Sequence, residues 1–195
     1  MRYTIITGTG RAGTTLLVQV LTRVGLDTGF RPDTEIDPIA HAGLERMLSQ
    51  RPRHRVVKSP WIALELDEQL AAGVEIEHAI ICTRSLAAAA ESRRRVYARD
   101  PSRPDAPGAL WLTADPGRQE AVLSEIFYNL IFTLTRHEIP ITFLHFPRYA
   151  RDHDYAVAKL SPVFPEIDVK MWRQALAELV KPDLIRVSDD RAAAN

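Results

Sequence analysis

Cysteine is nearly absent from this 195-residue sequence, in which Cys82 is the single example. One cysteine excludes an intrachain disulfide framework and is typical of a protein in a reducing cytoplasm, the location we expect. Cys82 ends an apolar run at 78–82, so we expect a small buried side chain rather than a reactive thiol.

An excess of charge is also missing, because 25 Lys and Arg residues balance 25 Asp and Glu residues. A nucleic-acid-binding protein usually carries net positive charge, so we expect no nucleic acid partner. Any anion site in this chain must therefore be a local cluster of basic residues.

Long hydrophobic runs are lacking as well, since no apolar stretch approaches the ~18–20 residues of a membrane span. The N-terminal run in MRYTIITGTG is too short for the core of a signal peptide, and no cleavage pattern follows it. We expect this run to form the first strand of an intracellular protein.

The pattern that is present alternates short apolar runs with longer helix-compatible segments. The predicted strands are 3–7, 55–58, 79–83 and 141–146, with a weaker one at 184–187. The predicted helices are 13–24, 38–50, 62–72, 86–99, 118–137 and 166–180, with a short one at 155–160. Except for the weak strand at 184–187, the predicted strands are almost continuously apolar, as in strands covered on both faces. The pattern predicts one α/β domain over 1–195 with a doubly wound, mainly parallel sheet.

Residues 100–117 interrupt this alternation with four prolines and two glycines, so they form neither a continuous helix nor a central strand. Trp111 and Leu112 lie in the middle of the stretch. A long loop in a compact domain is often a lid or a binding loop. The alternative is an insertion that Trp111 merely anchors to the core.

A glycine-rich turn at 8–15, Gly-Thr-Gly-Arg-Ala-Gly-Thr-Thr, joins the first strand to an amphipathic helix. Such turns bind phosphate because backbone N–H groups point inward and the helix dipole favours negative charge. Thr14 and Thr15 add hydroxyl donors, and Arg11 adds a permanent cation. The sequence therefore predicts a P-loop-like anion site.

This turn departs from the GxxxxGK[ST] loop of nucleoside triphosphatases. Gly8 and Gly13 have the required separation, but Thr14 occupies the lysine position. The second predicted strand ends in Lys58, and the third is followed by Arg84. Neither strand offers the carboxylate that holds Mg²⁺ in such enzymes. We therefore expect a site that works without a metal.

A second anion site is predicted where the strand at 79–83 meets the next helix. Arg84 follows this strand directly, and Ser92 lies two turns into the helix, on the same face as Ser85. Arg84 and Ser92 could bracket one phosphate. Taken alone, an alanine-rich helix with a flanking arginine is a common structural feature.

Three segments together resemble the 3′-phosphoadenosine 5′-phosphosulfate (PAPS)-dependent sulfotransferases. Residues 11–16, Arg-Ala-Gly-Thr-Thr-Leu, resemble the family's 5′-phosphosulfate loop. Arg84 with Ser92 resembles its 3′-phosphate pair. Residues 58–61, Lys-Ser-Pro-Trp, are similar to a segment of its glycan-modifying branch, where the lysine lies near the transferred group.

The resemblance implies a doubly wound P-loop fold and metal-free, in-line transfer of a sulfuryl group from PAPS to an acceptor hydroxyl or amine. The acceptor would be a small molecule, a glycan or a lipid. Arg11 replaces the commoner lysine, and the C-terminal nucleotide motif of the cytosolic branch is absent. The residues expected to bind the donor are Gly10, Arg11, Ala12, Gly13, Thr14, Thr15, Arg84 and Ser92.

The proposed catalytic groups are Lys58 and Arg11, which would stabilise the departing phosphate, and a general base. The cytosolic branch has a His two places after its lysine, where this chain has a proline. The segment that carries a Glu base in the glycan-modifying branch corresponds to 31–41 here. It offers Asp33 and Glu35 as first candidates and His41 as a third, whereas Asp37 is expected to cap a helix. Two alternatives stay open: an atypical P-loop kinase that uses ATP and Mg²⁺, and a nucleotide-binding module without activity.

Overall fold

The computed structural model of the chain describes residues 1–38, 40–103 and 106–185. Strands and helices alternate along this part of the chain, as the sequence predicts. The strands are β1 (Arg2–Thr7), β2 (Val56–Lys58), β3 (Glu75–Thr83) and β4 (Ile141–His145). The helices are α1 (Thr14–Arg23), α2 (Ile62–Ala71), α3 (Leu86–Arg99), α4 (Gln119–Arg136), α5 (Arg148–Arg151), α6 (His153–Leu160) and α7 (Val169–Leu179). Short 3₁₀ helices occupy Leu48–Gln50, Pro116–Arg118 and Pro182–Leu184.

Within these residues, the strands form one sheet in the order β2-β1-β3-β4, and every neighbouring pair is parallel. Ile5 of β1 lies opposite Val57 of β2 and Ala79 of β3. The predicted α/β class with a parallel sheet is therefore confirmed. Because all four strands run the same way, their carboxyl ends share one edge of the sheet.

Alternate strand residues face two different hydrophobic cores. Ile6 and Ile80 pack with α1 and α7 on one face, where Trp172 is fully buried. Ile5 and Ile81 pack with α2 and α4 on the other face. Helices therefore cover both faces of the sheet, as in doubly wound folds, which explains why the strands read as continuous apolar runs.

The predicted helix at 38–50 is wrong, because only Leu48–Gln50 forms a short 3₁₀ turn. His41, Gly43 and Leu44 have φ values of 49°, 135° and 58°, which no right-handed helix accommodates. Asp37 does accept a hydrogen bond from the Ala40 amide, at 2.6 Å, but the bond closes a turn rather than a helix.

Other boundaries shift by a few residues. Strand β3 begins at Glu75 rather than 79, and α7 begins at Val169 after Asp168 caps it. The weak strand at 184–187 begins in the 3₁₀ helix Pro182–Leu184, and its last two residues lie outside the described residues. Cys82 is buried, as predicted, and burial raises the pKa of its thiol to about 12.

Among residues 1–38, 40–103 and 106–185, no helix has the length and the apolar character needed to cross a bilayer.

The glycine-rich turn approaches the backbone of β3 closely at Gly8. Its φ is 139°, and a β-carbon built there would lie 2.7 Å from the backbone carbonyl oxygen of Cys82. We expect Gly8→Ala to lower the free energy of unfolding by about 1–3 kcal/mol, because strain and a backbone clash add. Chemical denaturation measures this change.

Gly25→Ala is the matched control, because Gly25 has a φ of 91° and no atom within 4 Å of its built β-carbon. It carries the conformational penalty without the clash. Equal losses of stability in the two variants would contradict the close approach at Gly8.

Candidate functional site

The main cavity of the described residues lies at the edge of the sheet where the parallel strands end. Its volume is about 1120 Å³, somewhat above the ~300–1,000 Å³ of most ligand sites. The chain moves from β1 outward to β2 on one side and from β3 outward to β4 on the other. The cavity lies beyond β1 and β3, the point where strand order reverses and where open α/β sheets bind ligands.

Basic side chains outnumber acidic ones in the cavity wall, seven to four. This local excess arises in a chain with no net charge, as an anion site here requires. The basic residues are Arg11, Lys58, Arg84, Arg93, Arg95, Arg99 and Lys181, and the acidic residues are Glu45, Glu91, Glu178 and Asp183.

The glycine-rich turn between β1 and α1 forms one end of the cavity. Gly13 is the N-cap of α1 in a left-handed conformation, and no side chain caps the helix there. The amides of the first helical turn, at Thr14 and Thr15, have no acceptor within the helix. The Tyr149 hydroxyl fixes the turn by donating a 2.6 Å hydrogen bond to the Gly13 carbonyl. The turn therefore presents N–H donors and a helix dipole to the cavity.

Arg11 joins the two predicted anion sites. Its Nε donates to the Ser92 hydroxyl at 3.1 Å, and its own carbonyl accepts from Arg84 Nη1 at 3.0 Å. Arg84 in turn lies over the Phe146 ring, 5.4 Å from its centroid. The turn after β1 thus contacts both Arg84, which precedes α3, and Ser92 in the middle of α3. One bound molecule could touch both sites.

Lys58 is buried beside this turn at the end of β2, with 3% of its side chain exposed. Its Nζ donates to the Gly43 carbonyl at 2.8 Å and pairs with Glu45 Oε1 at 3.1 Å. The Thr15 hydroxyl lies 3.4 Å away. Burial lowers the pKa of Lys58, while the Glu45 carboxylate opposes the shift. The Lys58 amine therefore lies next to a half-buried carboxylate.

Most of the predicted site residues meet at this cavity. Gly10, Arg11, Gly13, Thr14, Thr15, Lys58, Arg84 and Ser92 all line it. Ala12 does not, because its side chain packs in the hydrophobic core. The loop geometry explains this: the residue between Arg11 and Gly13 turns toward the sheet.

The structure does not bring the first two base candidates to the cavity. Asp33 and Glu35 are exposed, neither lines the wall, and Asp33 forms an ion pair with Arg31 at 3.4 Å. His41 does line the cavity. Glu45 contacts Lys58 instead, a residue that the sequence pattern placed inside the predicted helix at 38–50.

The proline-rich stretch supplies another wall. Residues 106–112, which we call the roof segment, line the cavity with Trp111 buried in their midst. Gln119 holds Trp111 by accepting from its amide at 2.6 Å and donating to its carbonyl at 3.2 Å. Trp111 therefore anchors the stretch, and the same residues form part of the site.

Arg93 is a second residue whose position the sequence left open, because it is the first of three consecutive arginines. It is 5% exposed, whereas Arg95 is exposed and Arg94 does not line the cavity. Helical geometry predicts that at most one or two of the three can face inward. Only the contacts made by neighbouring segments identify which.

Across the described ranges 1–38, 40–103 and 106–185, no group of three or more His, Cys, Asp or Glu side chains could hold a metal ion. Comparisons with protein-family models, with curated proteins and with solved structures each found no match. The geometry of the cavity is therefore the basis for assigning a function.

The Lys58–Glu45 pair is open to direct titration. We expect Glu45→Gln to lower the pKa of Lys58 further, because it removes the negative charge that opposes the effect of burial. NMR titration of the Lys58 ε-methylene signal measures the shift, and the sequence contains only four lysines.

Glu91→Gln is the control, because Glu91 lines the same cavity but pairs with Arg94 and Arg95. It should leave the Lys58 titration unchanged. A Lys58 pKa that stays constant or rises in Glu45→Gln would show that the pair does not form in solution.

Proposed function

We propose that this protein is a sulfotransferase that moves the sulfuryl group of PAPS to an acceptor hydroxyl or amine and releases adenosine 3′,5′-bisphosphate. The observation that carries the proposal is the position of Arg11. It contacts Ser92 through its side chain and Arg84 through its carbonyl. Those three residues are the ones that resemble the family's 5′- and 3′-phosphate sites, and they meet at one cavity wall.

The cavity suits a bisphosphorylated adenosine. The turn at 8–13 and the first amides of α1 would hold the 5′-phosphosulfate as a P-loop does, with Arg11 as the charged donor. Arg84 and Ser92 would hold the 3′-phosphate. A charged hydrogen bond to an anion in a partly buried site contributes about 1.5–3 kcal/mol. The two phosphate positions together would select this nucleotide over one with a single phosphorylated end.

The charges at the strand ends favour sulfuryl over phosphoryl transfer. Strand β2 ends in Lys58, and Arg84 follows β3. A kinase or nucleoside triphosphatase places carboxylates near its phosphates to hold Mg²⁺. A sulfuryl group carries less charge than a phosphoryl group, so fixed cations can neutralise the charge that develops during its transfer.

The proposed reaction divides the work between Lys58 and Glu45. As the acceptor oxygen bonds to sulfur, the bond from sulfur to the bridging phosphate oxygen breaks. Lys58 would stabilise the negative charge on that departing oxygen. Glu45, 3.1 Å from the Lys58 ammonium, would take the acceptor's proton. Glu45, the cavity carboxylate that pairs with Lys58, thus replaces Asp33 and Glu35 as the proposed base.

The acceptor would enter past the wall formed by the roof segment and Trp61, the residue that precedes α2. Trp61 and Leu112 line the cavity and stay 41% and 57% exposed. The Trp61 ring meets the Trp111 ring edge to face at 5.4 Å. A small molecule or part of a glycan or lipid could rest against these side chains. The single buried Cys82 supports a cytoplasmic location for the reaction.

The donor assignment makes a binding prediction. Adenosine 3′,5′-bisphosphate should bind without metal, and more tightly than ATP with Mg²⁺. Arg11→Ala and Arg84→Ala should each weaken that binding by about 1.5–3 kcal/mol, because each removes a charged hydrogen-bond donor. Isothermal titration calorimetry gives both affinities.

Arg94→Ala is the control for these variants, since Arg94 lies outside the cavity wall and pairs with Glu91. It should bind the nucleotide as the wild type does. Equal affinities for the two nucleotides, or tighter ATP binding with Mg²⁺, would reject the PAPS assignment and favour a kinase. An unchanged affinity in folded Arg84→Ala would remove the 3′-phosphate site.

The base assignment makes a kinetic prediction, to be measured once an acceptor has been found by screening cell extracts with labelled donor. Glu45→Gln should lower kcat by about 10²–10⁴-fold, the usual contribution of a general base. Glu35→Gln and Asp33→Asn serve as matched controls and should keep their rates, because neither residue reaches the cavity. Loss of rate in a control with full activity in Glu45→Gln would return the role to the 31–41 segment. Binding of the nucleotide without turnover of any acceptor would favour a module without activity.

A further inference from the structure

Arg93 connects the two parts of the cavity that would meet the donor and the acceptor. Its Nη2 donates to the Thr9 carbonyl in the glycine-rich turn, at 2.9 Å. Its Nη1 donates to the Ala109 carbonyl in the roof segment, also at 2.9 Å. The guanidinium lies 4.9 Å from the centroid of the Trp111 ring. One planar group thus fixes the distance between turn and roof.

The contact is tight on the side of the turn. A β-carbon built on Gly10 would lie 2.5 Å from Arg93 Nη2, so only glycine lets the guanidinium approach this closely. Burial lowers the pKa of Arg93 to about 9, with a further contribution from Arg11, and the group still carries its charge at neutral pH. A buried guanidinium is unfavourable unless it is hydrogen-bonded, so Arg93 depends on both the Thr9 and the Ala109 carbonyl.

A second contact between turn and roof runs through Arg11. A β-carbon built on Gly108 would lie 2.8 Å from Arg11 Nη1, so this anion-binding side chain lies against the roof backbone. Any movement of Arg11 toward a bound anion changes its contact with the roof segment. Gln119, which is fully buried, also holds the roof segment through its hydrogen bond with the Trp111 amide.

We propose that Arg93 is a positioning residue that couples anion binding in the glycine-rich turn to the position of the roof segment. An anion that orders the turn fixes the Thr9 carbonyl, and through Arg93 it fixes the Ala109 carbonyl and the Trp111 ring. The identity of the natural anion rests on the proposed function, but the coupling requires only an anion in the turn.

The coupling would favour binding of the acceptor after the donor. Trp111 of the roof segment contacts the exposed Trp61 ring, and both Trp61 and the roof residue Leu112 lie on the wall proposed for the acceptor. Fixing that wall when the donor binds would raise acceptor affinity, and by thermodynamic linkage the acceptor would raise donor affinity by the same factor. Coupled sites in proteins typically change each other's affinity by about 5–150-fold.

Amide hydrogen exchange followed by mass spectrometry tests the coupling. Inorganic pyrophosphate is the first probe, because it lacks the nucleoside with which a nucleotide could itself cover the roof. In the wild type it should slow exchange in peptides covering 8–16 and also in those covering 106–112, the latter by about fivefold or more. Adenosine 3′,5′-bisphosphate is the second probe.

Arg93→Lys breaks the link while keeping the charge, because one ammonium cannot reproduce the planar fork that bonds two carbonyls and stacks on a ring. At saturating pyrophosphate this variant should still protect 8–16, but protection of 106–112 should fall below about twofold. Arg94→Lys is the control on the same helix and should match the wild type.

Each outcome decides something different. If pyrophosphate still protects the roof segment in Arg93→Lys, the coupling is overturned. It is also overturned if pyrophosphate protects only the turn in the wild type. That second test does not require the variant to fold. If pyrophosphate gives the expected pattern but the bisphosphate binds no better than ATP with Mg²⁺, the coupling stands and the sulfotransferase proposal fails. If neither probe protects the turn, both are overturned.

Discussion

Cations held close together at one edge of the sheet are the constraint that shapes the rest of the site. Their mutual proximity and burial are unfavourable, since Arg11 contributes to lowering the pKa of both Lys58 and Arg93. The protein offsets this cost mainly with backbone carbonyls. Lys58 bonds to Gly43, Arg11 to Ala40, Arg84 to Arg11, and Arg93 to Thr9 and Ala109.

This use of carbonyls explains the irregular segments around the cavity. A carbonyl inside a helix is already bonded to the amide four residues later, so it is a poor partner for a buried side chain. Residues 40–45 and the roof segment keep their carbonyls available by leaving helical geometry. This non-helical geometry includes positive φ values at His41 and Leu44, and at Leu112 in the roof segment. Strain of this kind concentrates at functional sites because neighbouring contacts hold it in place.

Under the proposed function, the same arrangement would favour binding of an anion over a neutral ligand. Carbonyl oxygens carry only partial charge, whereas a phosphate or sulfate oxygen carries more and accepts shorter, stronger hydrogen bonds from guanidinium and ammonium groups. A bound dianion would reduce the mutual repulsion of Arg11, Lys58 and Arg93, which the backbone carbonyls offset only in part. Glu45 is the one carboxylate of the described wall that pairs with Lys58, which places a proton acceptor beside the positive charge. Donor binding and proton removal would then depend on the same lysine.

The sequence by itself determined the parallel sheet and the edge at which most of the predicted site residues meet. Almost continuously apolar strands are typical of a parallel sheet that is covered on both faces. Arg11, Lys58 and Arg84 lie at or just after the ends of three such strands, so strand direction brings them to one edge. The parts decided by tertiary structure are Glu45 at the cavity, Arg93 as the buried arginine, and the lack of an α-helix in the described residues 40–50. Local propensity favours a helix there, but Lys58 takes the Gly43 carbonyl from a strand 15 residues away. Contacts between segments distant in sequence outweighed local preference, and no local pattern records them.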